Sequence, residues 1–480
     1  VRRNRHTRTR LIRNELTIHP GHLWRPDEVA RSRARLLESS LFNQVRVRPL
    51  NTSGRVRDVL VEVSERKRWR LQLGPGISTS EGLRLAAENH VGNLGGVGHR
   101  WSTFAHVGID WENLRLALSP AGELTGSRGV DVEWKIATGY EIAHFPRIPL
   151  RLNVRLLLNE RATQSTYIIQ NYGVGAGAAW TVDLPRDHEL RLAWDFQVLW
   201  RYPEYVDPAA VLTDAAEVDE DFRNGFLGLI GSDSPPSGLR RLGLFQLTAQ
   251  LDLRDDPFNP TAGALIGLDL EGTDLSPLSQ ETFGRFRQRF AFYLPLIRWA
   301  RDDMRAWPFN LASRVDWGIG WGGPGTELLP VEYRFRLGGA TSVRGYRLET
   351  LGPTVERDRD LTGSGMTNSA TAVPVGGDVY FSFNLEERFP LTRSRSVELI
   401  VFQDGGNVYL RNGPDVEGLD RGFDPVIRTS AGLGLRVRTP FGPLRLDVGI
   451  QLGSASPLFD RNADEPWWRG MAIHFSVGEQ

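Results

Sequence analysis

The stretch FQLTAQLDLR, residues 245–254, alternates strictly between apolar and polar side chains. A strand with this pattern has one wholly apolar face and one wholly polar face. The same alternation recurs in 150–158, 190–200, 379–389, 431–437 and 444–450. These segments run to about 9–11 residues, the length that a tilted strand needs to cross a bilayer. Trp and Tyr recur near the segment ends, where the interfacial aromatic residues of a membrane barrel lie.

Sixteen such segments can be counted along the chain, and an even number places both barrel ends on one side of the membrane. Their approximate bounds are 70–77, 82–91, 97–118, 128–143, 150–160, 167–182, 189–202, 241–254, 262–272, 283–295, 308–321, 376–389, 396–408, 428–438, 443–452 and 470–480. Every second connection is short, whereas the others include the long segments 203–240 and 322–375. The pattern predicts a mainly β fold, a sixteen-stranded antiparallel transmembrane β-barrel over residues 68–480. A soluble β-sandwich is the alternative, but sandwich strands are typically nearer five or six residues.

The composition excludes several other classes of protein. The chain has 58 basic and 58 acidic residues, so no overall field favours binding to nucleic acid. It has no Cys, which excludes disulfides and thiolate metal sites. It also lacks a run of 18 apolar residues, which excludes a transmembrane helix but not a barrel of alternating strands. The His residues are scattered and no Gly-x-Ser-x-Gly motif occurs, so we expect neither a metal, a cofactor nor enzymatic activity.

Residues 1–67 have a different pattern, which predicts two helices followed by two strands. The helices are expected at 7–16 and 27–40, and the strands at 44–50 and 55–64. With a first strand at or before Val1, this is a β-α-α-β-β module whose start is expected to be clipped.

The irregular segment 322–375 contains the run GGATSVRGY at residues 338–346. A loop of this length without periodicity is usually functional or disordered. The guanidinium of Arg344 stays protonated and offers five donors, so it needs carboxylate partners inside an enclosed lumen. The polar faces of the next two predicted strands carry Glu386 and Asp404. The alternative is that Arg344 is a solvated loop residue.

Several motifs, taken in chain order, resemble the BamA/TamA superfamily of outer-membrane protein assembly factors. They are the module at 1–67, the turn NLGGVG at 93–98, the turn motif with Asp252, Arg254, Asp255, Pro260 and Gly263, the signature Val343-Arg344-Gly345-Tyr346, and the C-terminal Phe475, Val477 and Gly478. The resemblance implies that residues 1–67 are a POTRA domain, which hangs in the periplasm and receives client chains. It also implies that segment 322–375 folds into the lumen, with Arg344 anchored by Glu386 and Asp404. Family members usually end on an aromatic residue, whereas this sequence stops at Gln480.

The first and last predicted strands must pair to close the barrel. The first contains Gly74-Pro75-Gly76, and because proline donates no hydrogen bond and glycine weakens a strand, we expect this seam to pair poorly. An open strand edge can template an incoming strand. The resemblance implies that use, a lateral gate between the first strand and the last strand with its Phe475, Val477 and Gly478. The alternative is a bulged edge that only curves the sheet.

The sequence therefore predicts an assembly factor of the bacterial outer membrane that folds client β-barrels through this seam. Its expected partners are outer-membrane lipid, unfolded outer-membrane proteins and periplasmic accessory proteins or lipoproteins, with no nucleic acid. A two-partner-type or TamA-like secretion pore is one alternative. A passive porin is another, although a porin needs neither a periplasmic module nor an anchored lumen segment. For Asp252, Asp255 and Asp256, a polar turn is a simpler explanation than a Ca²⁺ site.

Overall fold

The computed structural model describes most of the chain. The described residues are 1–21, 23–39, 41–50, 56, 58–79, 82–111, 114, 132–142, 150–164, 167–186, 188–205, 239–257, 259–273, 277–297, 300–301, 304–305, 309–323, 328–360, 367–392, 394–411, 419–420, 427–439, 442–453 and 470–477.

The N-terminal module contains the elements α1 (Thr9–Glu15), α2 (Pro26–Glu38), β1 (Phe42–Pro49) and β2 (Val59–Glu65). Pro26 opens α2 at a position where the missing N–H is tolerated. The two helices pack on the antiparallel pair β1–β2 through a buried apolar core that includes Ile12, Leu36, Phe42 and Val63. Where a first strand was expected, Arg2 forms a parallel bridge with Glu62.

Sixteen strands of the described chain close into one antiparallel barrel, which confirms the predicted fold class and strand count. They are β3 (Trp69–Ser78), β4 (Gly82–Leu94), β5 (His99–Ile109), β6 (Glu133–Ile142), β7 (Leu150–Gln164), β8 (Tyr167–Leu184), β9 (His188–Tyr205), β10 (Arg240–Asp252), β11 (Gly263–Thr273), β12 (Phe283–Ile297), β15 (Phe309–Gly322), β18 (Val379–Pro390), β19 (Val397–Tyr409), β21 (Arg428–Thr439), β22 (Gly442–Leu452) and β23 (Met471–Val477). Neighbours in the sequence are neighbours in the barrel, and β23 returns to β3.

The barrel carries its apolar side chains outside and its polar side chains inside. Leu247 of β10 and Leu433 of β21 are 40% and 56% exposed, whereas Asp404 of β19 and Asp447 of β22 are 1% and 0% exposed. This distribution suits a protein whose outer surface contacts hydrocarbon and whose polar groups face a lumen. Among the described residues, no helix is long and apolar enough to cross a membrane.

The segment 322–375 is more regular than expected. It contains a short 3₁₀ helix, Val331–Tyr333, and two strands, β16 (Thr354–Asp360) and β17 (Thr367–Pro374). These strands form a three-stranded sheet with β20 (Leu419–Asp420), separate from the barrel, and a further small hairpin joins β13 (Ala300–Arg301) to β14 (Met304–Arg305). The prediction missed β16 and β17 because their sequences, TVERDRD and TNSATAVP, lack a regular apolar face.

Candidate functional site

The run from Gly338 to Tyr346 forms a compact loop closed by its own hydrogen bonds. The Gly339 N–H donates to the Tyr346 carbonyl oxygen at 3.0 Å, and the Ser342 hydroxyl donates to the Gly338 carbonyl oxygen at 2.9 Å. Val343 is fully buried in a small apolar cluster with Phe335, Leu337, Leu351 and Val408. We call residues 328–353 the lumen segment. The apolar cluster packs this segment against Val408 of β19.

Arg344 is 1% exposed and is bound by two carboxylates of neighbouring strands. Its Nε and Nη2 atoms donate to Asp404 Oδ2 and Oδ1 at 2.7 and 2.8 Å, and its Nη1 atom donates to Glu386 Oε1 at 2.7 Å. Its backbone N–H also donates to Asp404, at 3.0 Å. The guanidinium carbon lies 3.7 Å from the centre of the Phe402 ring. A bidentate pair, a second carboxylate and an aromatic face together compensate the buried charge. We call Arg344, Glu386 and Asp404 the latch.

The backbone beside Arg344 is tied to the last strands of the barrel. The Gly345 N–H donates to the Ser430 hydroxyl at 3.1 Å, and Gln451 donates to the Gly345 carbonyl oxygen at 3.2 Å. His474 of β23 donates through Nε2 to the Arg344 carbonyl oxygen at 2.9 Å. A side chain at position 345 would place its Cβ 2.4 Å from the Ser430 Cβ, so this close approach requires glycine.

Further charged residues surround the latch that the sequence analysis did not single out. Arg388 and Arg436 contact the second and first oxygens of Glu386 at 2.9 and 3.3 Å. Arg436 and Arg445 both bind the fully buried Asp447, at 2.8 and 2.6 Å. The alternation of apolar and polar residues in β18, β21 and β22 indicates that these charged side chains face the lumen. The alternation does not specify the strand register, however, and the register decides which of them meet around Arg344.

A second ionic cluster holds the lumen segment on another wall of the barrel. Arg201 of β9 is 2% exposed and contacts Glu332 of the 3₁₀ helix. It also contacts Glu281 at 3.4 Å, and Arg240 contacts the same carboxylate at 2.9 Å. The neighbouring Tyr333 ring lies 5.5 Å from the Arg201 guanidinium carbon. The lumen segment is therefore tied both to β9 and to strands β18–β23. Sequence patterns gave no signal for this cluster, because its partners lie far apart in the chain.

The turn between β10 and β11 is organised by its acidic residues. Arg254 binds Asp252 through two hydrogen bonds of 2.8 and 2.7 Å. Asp255 accepts hydrogen bonds from the Thr261 and Ala262 N–H groups at 2.9 and 3.1 Å. Burial acts to raise the pKa of the Asp255 carboxyl, but these bonds and the Thr261 hydroxyl lower it overall, so the turn is stabilised at neutral pH and weakened as pH falls. Hydrogen-bond donors of the turn itself therefore contact the Asp252 and Asp255 carboxylates, as expected of a polar turn. Pro260 is buried in the turn, and Gly263 opens β11.

The pairing of β3 with β23, which we call the seam, is short. In the described part of the chain it consists of the pairs Ser476 with Ser78 and Val477 with Ile77. Two flanking hydrogen bonds add to it, from the Thr79 N–H to the Phe475 carbonyl oxygen at 2.9 Å and from the Phe475 N–H to the Thr79 hydroxyl at 3.1 Å. By contrast, every residue of β8 has a partner in β9. The register sets Val477 opposite Ile77, so residues 69–76 of β3 lie beyond the last described residue of β23.

The glycines and proline predicted to weaken the first strand lie in that part of β3, directly before the described pairs. Gly74 and Pro75 are exposed, and a Cβ at Gly76 would be 3.6 Å from the Val477 carbonyl oxygen. Gly478, the other predicted seam residue, lies outside the described residues. The described ladder therefore lies next to the residues that were predicted to pair poorly.

Comparison with known families agrees with this architecture. Residues 116–480 match the Omp85 superfamily domain, which is well over half of the chain. The chain belongs to the Omp85 superfamily. It is therefore an outer-membrane β-barrel protein. A SAM50-like protein of Schizosaccharomyces pombe is 27% identical over 124 residues. That match covers 25% of this chain and only 23% of the relative's length.

Several solved structures share the fold of this protein. BamA from Haemophilus ducreyi, in a form lacking POTRA domains 1–3, superposes with a TM-score of 0.69 at 16% identity, covering 99% of this chain and 82% of that one. CdiB from Acinetobacter baumannii superposes with a TM-score of 0.53 at 12% identity, covering 98% and 71%. CdiB from Escherichia coli gives a TM-score of 0.54, also at 12% identity, covering 98% and 74%. At these identities the likeness establishes the fold.

Replacing Asp404 by Asn should loosen the lumen segment. The variant keeps the side-chain shape but leaves the buried guanidinium of Arg344 with one carboxylate in place of two, at a cost of about 3–5 kcal/mol. Hydrogen exchange measured by mass spectrometry should therefore become faster in residues 338–346. Arg347→Ala, an exposed position on the same segment, is the control and should leave exchange unchanged. Unchanged protection in Asp404→Asn would contradict the latch.

The second cluster should show strong coupling between Arg201 and Glu332. Either single change, Arg201→Gln or Glu332→Gln, leaves an uncompensated buried charge, whereas the double variant restores the balance. We expect the double variant to be less destabilised than the sum of the single variants by about 0.5–3 kcal/mol. Thermal or urea unfolding of the barrel measures this difference. Additive effects of the two changes would show that the ion pair does not fasten the segment.

Proposed function

We propose that this protein is a BamA-like assembly factor, which folds client β-barrels into the outer membrane through its seam. The observation that carries this proposal is the contrast between the short seam and the full ladders elsewhere in the barrel. Family membership supports it, because the Omp85 superfamily includes insertion factors. The proposed partners are outer-membrane lipid, unfolded outer-membrane proteins and accessory proteins on the side of the N-terminal module.

The seam is the least costly place to open the barrel. A backbone hydrogen bond contributes about 0.5–1.5 kcal/mol net, so the two residue pairs described at the seam open more readily than a ladder that runs along a whole strand. Among the described residues, residues 69–76 of β3 have no partner on the seam side, and backbone groups without partners are costly in hydrocarbon. An incoming client strand would supply those partners by β-augmentation. Pro75 offers no donor and would keep that pairing reversible.

The latch would make one side of the seam rigid. Arg344 and the residues beside it contact β18, β19, β21, β22 and β23, and the contact to β23 is made by His474. These ties hold the last strand to the lumen segment. Movement at the seam would then separate β3 from a fixed β23. In this proposal Gly74, Pro75, Gly76, Phe475, Val477 and Gly478 form the gate, and the latch has a supporting role.

We further propose that residues 1–67 are a POTRA domain in the periplasm, with residues 68–480 as the barrel domain. Two helices packed on a two-stranded sheet support this assignment. The superposition on the BamA structure also extends over it, since 99% of the chain is covered. The module lies on the side of the short turns, because the hydrogen bonds of Thr7 and Arg8 reach the β4–β5 turn.

A disulfide across the seam should block assembly. The chain has no cysteine, and Ile77 and Val477 are direct partners, so Ile77→Cys with Val477→Cys places one crosslink there. We expect reconstituted protein to lose client folding when oxidised and to regain it on reduction. The control pair Ile77→Cys with Leu83→Cys crosslinks β3 to β4 and should stay active in both states. Full activity with the seam crosslinked would refute gating.

A secretion pore of the two-partner or TamA-like type is the second candidate, favoured by the superposition with the two CdiB structures. The lumen segment distinguishes the two functions, because a segment tied to two walls obstructs the lumen. Single-channel recording in planar bilayers should therefore give low, flickering conductance. A large, steady conductance would favour the pore.

A further inference from the structure

Charge is unevenly divided between the N-terminal module and the barrel. Residues 1–67 contain 16 Arg and Lys against 7 Asp and Glu, a net charge of +9. Because the whole chain has 58 of each, residues 68–480 carry a net charge of −9. The neutral total therefore conceals a strongly basic module on one end of an acidic barrel.

The basic side chains of the module are on its surface. All of its described Arg and Lys residues are exposed except Arg35, which is half-buried. Ion pairs within the module join Arg31 to Asp27, Arg35 to Glu15 and Arg48 to Glu62. The net charge of the module already counts these pairs, so a large excess of positive charge remains. The module thus presents a large uncompensated positive charge to its surroundings.

The module is fixed against the end of the barrel. Asn93, near the end of β4, donates to the Thr7 hydroxyl at 2.8 Å, and the Arg8 N–H donates to the Gly96 carbonyl oxygen in the β4–β5 turn at 2.9 Å. A Cβ at Gly96 would lie 2.3 Å from the His6 carbonyl oxygen, so the two backbones touch. The covalent connection is equally short, because only Arg66, Lys67 and Arg68 separate β2 from β3.

A row of aromatic residues marks the membrane interface just above this connection. Trp69 is paired with Val91, Val91 with Trp101, and Trp101 with Tyr140, so the three aromatic residues lie at one level of the barrel. Trp69 and Trp101 are 62% and 43% exposed on the outer surface. Trp and Tyr concentrate at the level of lipid headgroups. At about 3.3 Å per residue, Lys67 and Arg68 follow within roughly 7 Å of that level.

We propose that Arg66, Lys67 and Arg68, with the basic face of the module around them, bind anionic phospholipid headgroups of the adjoining membrane leaflet. The phosphodiester of an anionic phospholipid carries negative charge, which complements this basic surface. The three residues are adjacent in sequence to Trp69, which lies in the aromatic row at the headgroup level. Clusters of Lys and Arg beside a membrane-spanning element attract anionic lipid in this way. An acidic polypeptide has the same charge, but it would not need the site to lie at the lipid interface. The proposal stands independently of client assembly.

The test uses the full chain reconstituted in phosphatidylcholine bilayers that contain trace spin-labelled phosphatidylglycerol or phosphatidylcholine. Electron paramagnetic resonance gives the relative affinity of the protein for the two lipids. We expect a preference for phosphatidylglycerol that falls as salt is raised. The variant Lys67→Gln with Arg68→Gln should reduce the preference about fivefold or more, since one basic residue near an anionic surface contributes about that factor.

The matched control is Arg191→Gln with Arg347→Gln, which removes the same charge. Arg191 lies on the polar, lumen-facing side of β9 and Arg347 in the lumen segment, so neither side chain faces the bilayer. This control should keep the lipid preference. The change in electrophoretic mobility on heating, which folded β-barrels show, confirms that both variants are folded. Equal affinities in the wild type, or an unchanged preference in Lys67→Gln with Arg68→Gln, would overturn the proposal. A wild type that instead binds a polyglutamate peptide without lipid preference would also overturn it, in favour of an acidic chain.

Discussion

The arrangement of charged residues in the lumen of this barrel depends on the buried guanidinium of Arg344. It cannot lose its proton, so its site must supply negative charge from the barrel wall. Asp404 and Glu386 do so from two adjacent strands, and Arg388, Arg436 and Asp447 extend the network around them. Such a network stabilises the fold only when it is complete, because removal of one partner leaves a buried charge uncompensated. The lumen segment is consequently held in one position relative to β18–β23.

This fixed side contrasts with the seam. A barrel avoids open strand edges by closing on itself, and fifteen of its sixteen junctions have long ladders in the described residues. The remaining junction has two residue pairs and adjoins a proline flanked by glycines. The stability of the barrel is thus distributed unevenly around its circumference. Local opening is expected where stability is lowest, and function that needs motion is commonly drawn from such places.

Most of the architecture could be predicted from the strand pattern, and the reasons are specific. In residues 245–254 each inward position is polar and each outward position apolar, because one face meets lipid and the other a polar lumen. The strands β16 and β17 escaped prediction because their sequences, TVERDRD and TNSATAVP, lack a regular apolar face. The charge asymmetry was likewise hidden, since the totals of 58 and 58 cancel between module and barrel.

The sequence by itself determined the sixteen-stranded barrel, the inward direction of Glu386 and Asp404, and the weak first strand around Pro75. These properties depend on the alternation and chemistry of residues that are close together in the sequence, so the sequence alone reveals them. Only the tertiary structure decided that Glu332 meets Arg201, that Arg436 and Arg445 share Asp447, and that His474 ties β23 to the latch. Those contacts depend on strand register and on the path of the lumen segment. Both are set by barrel closure, which joins residues hundreds of positions apart.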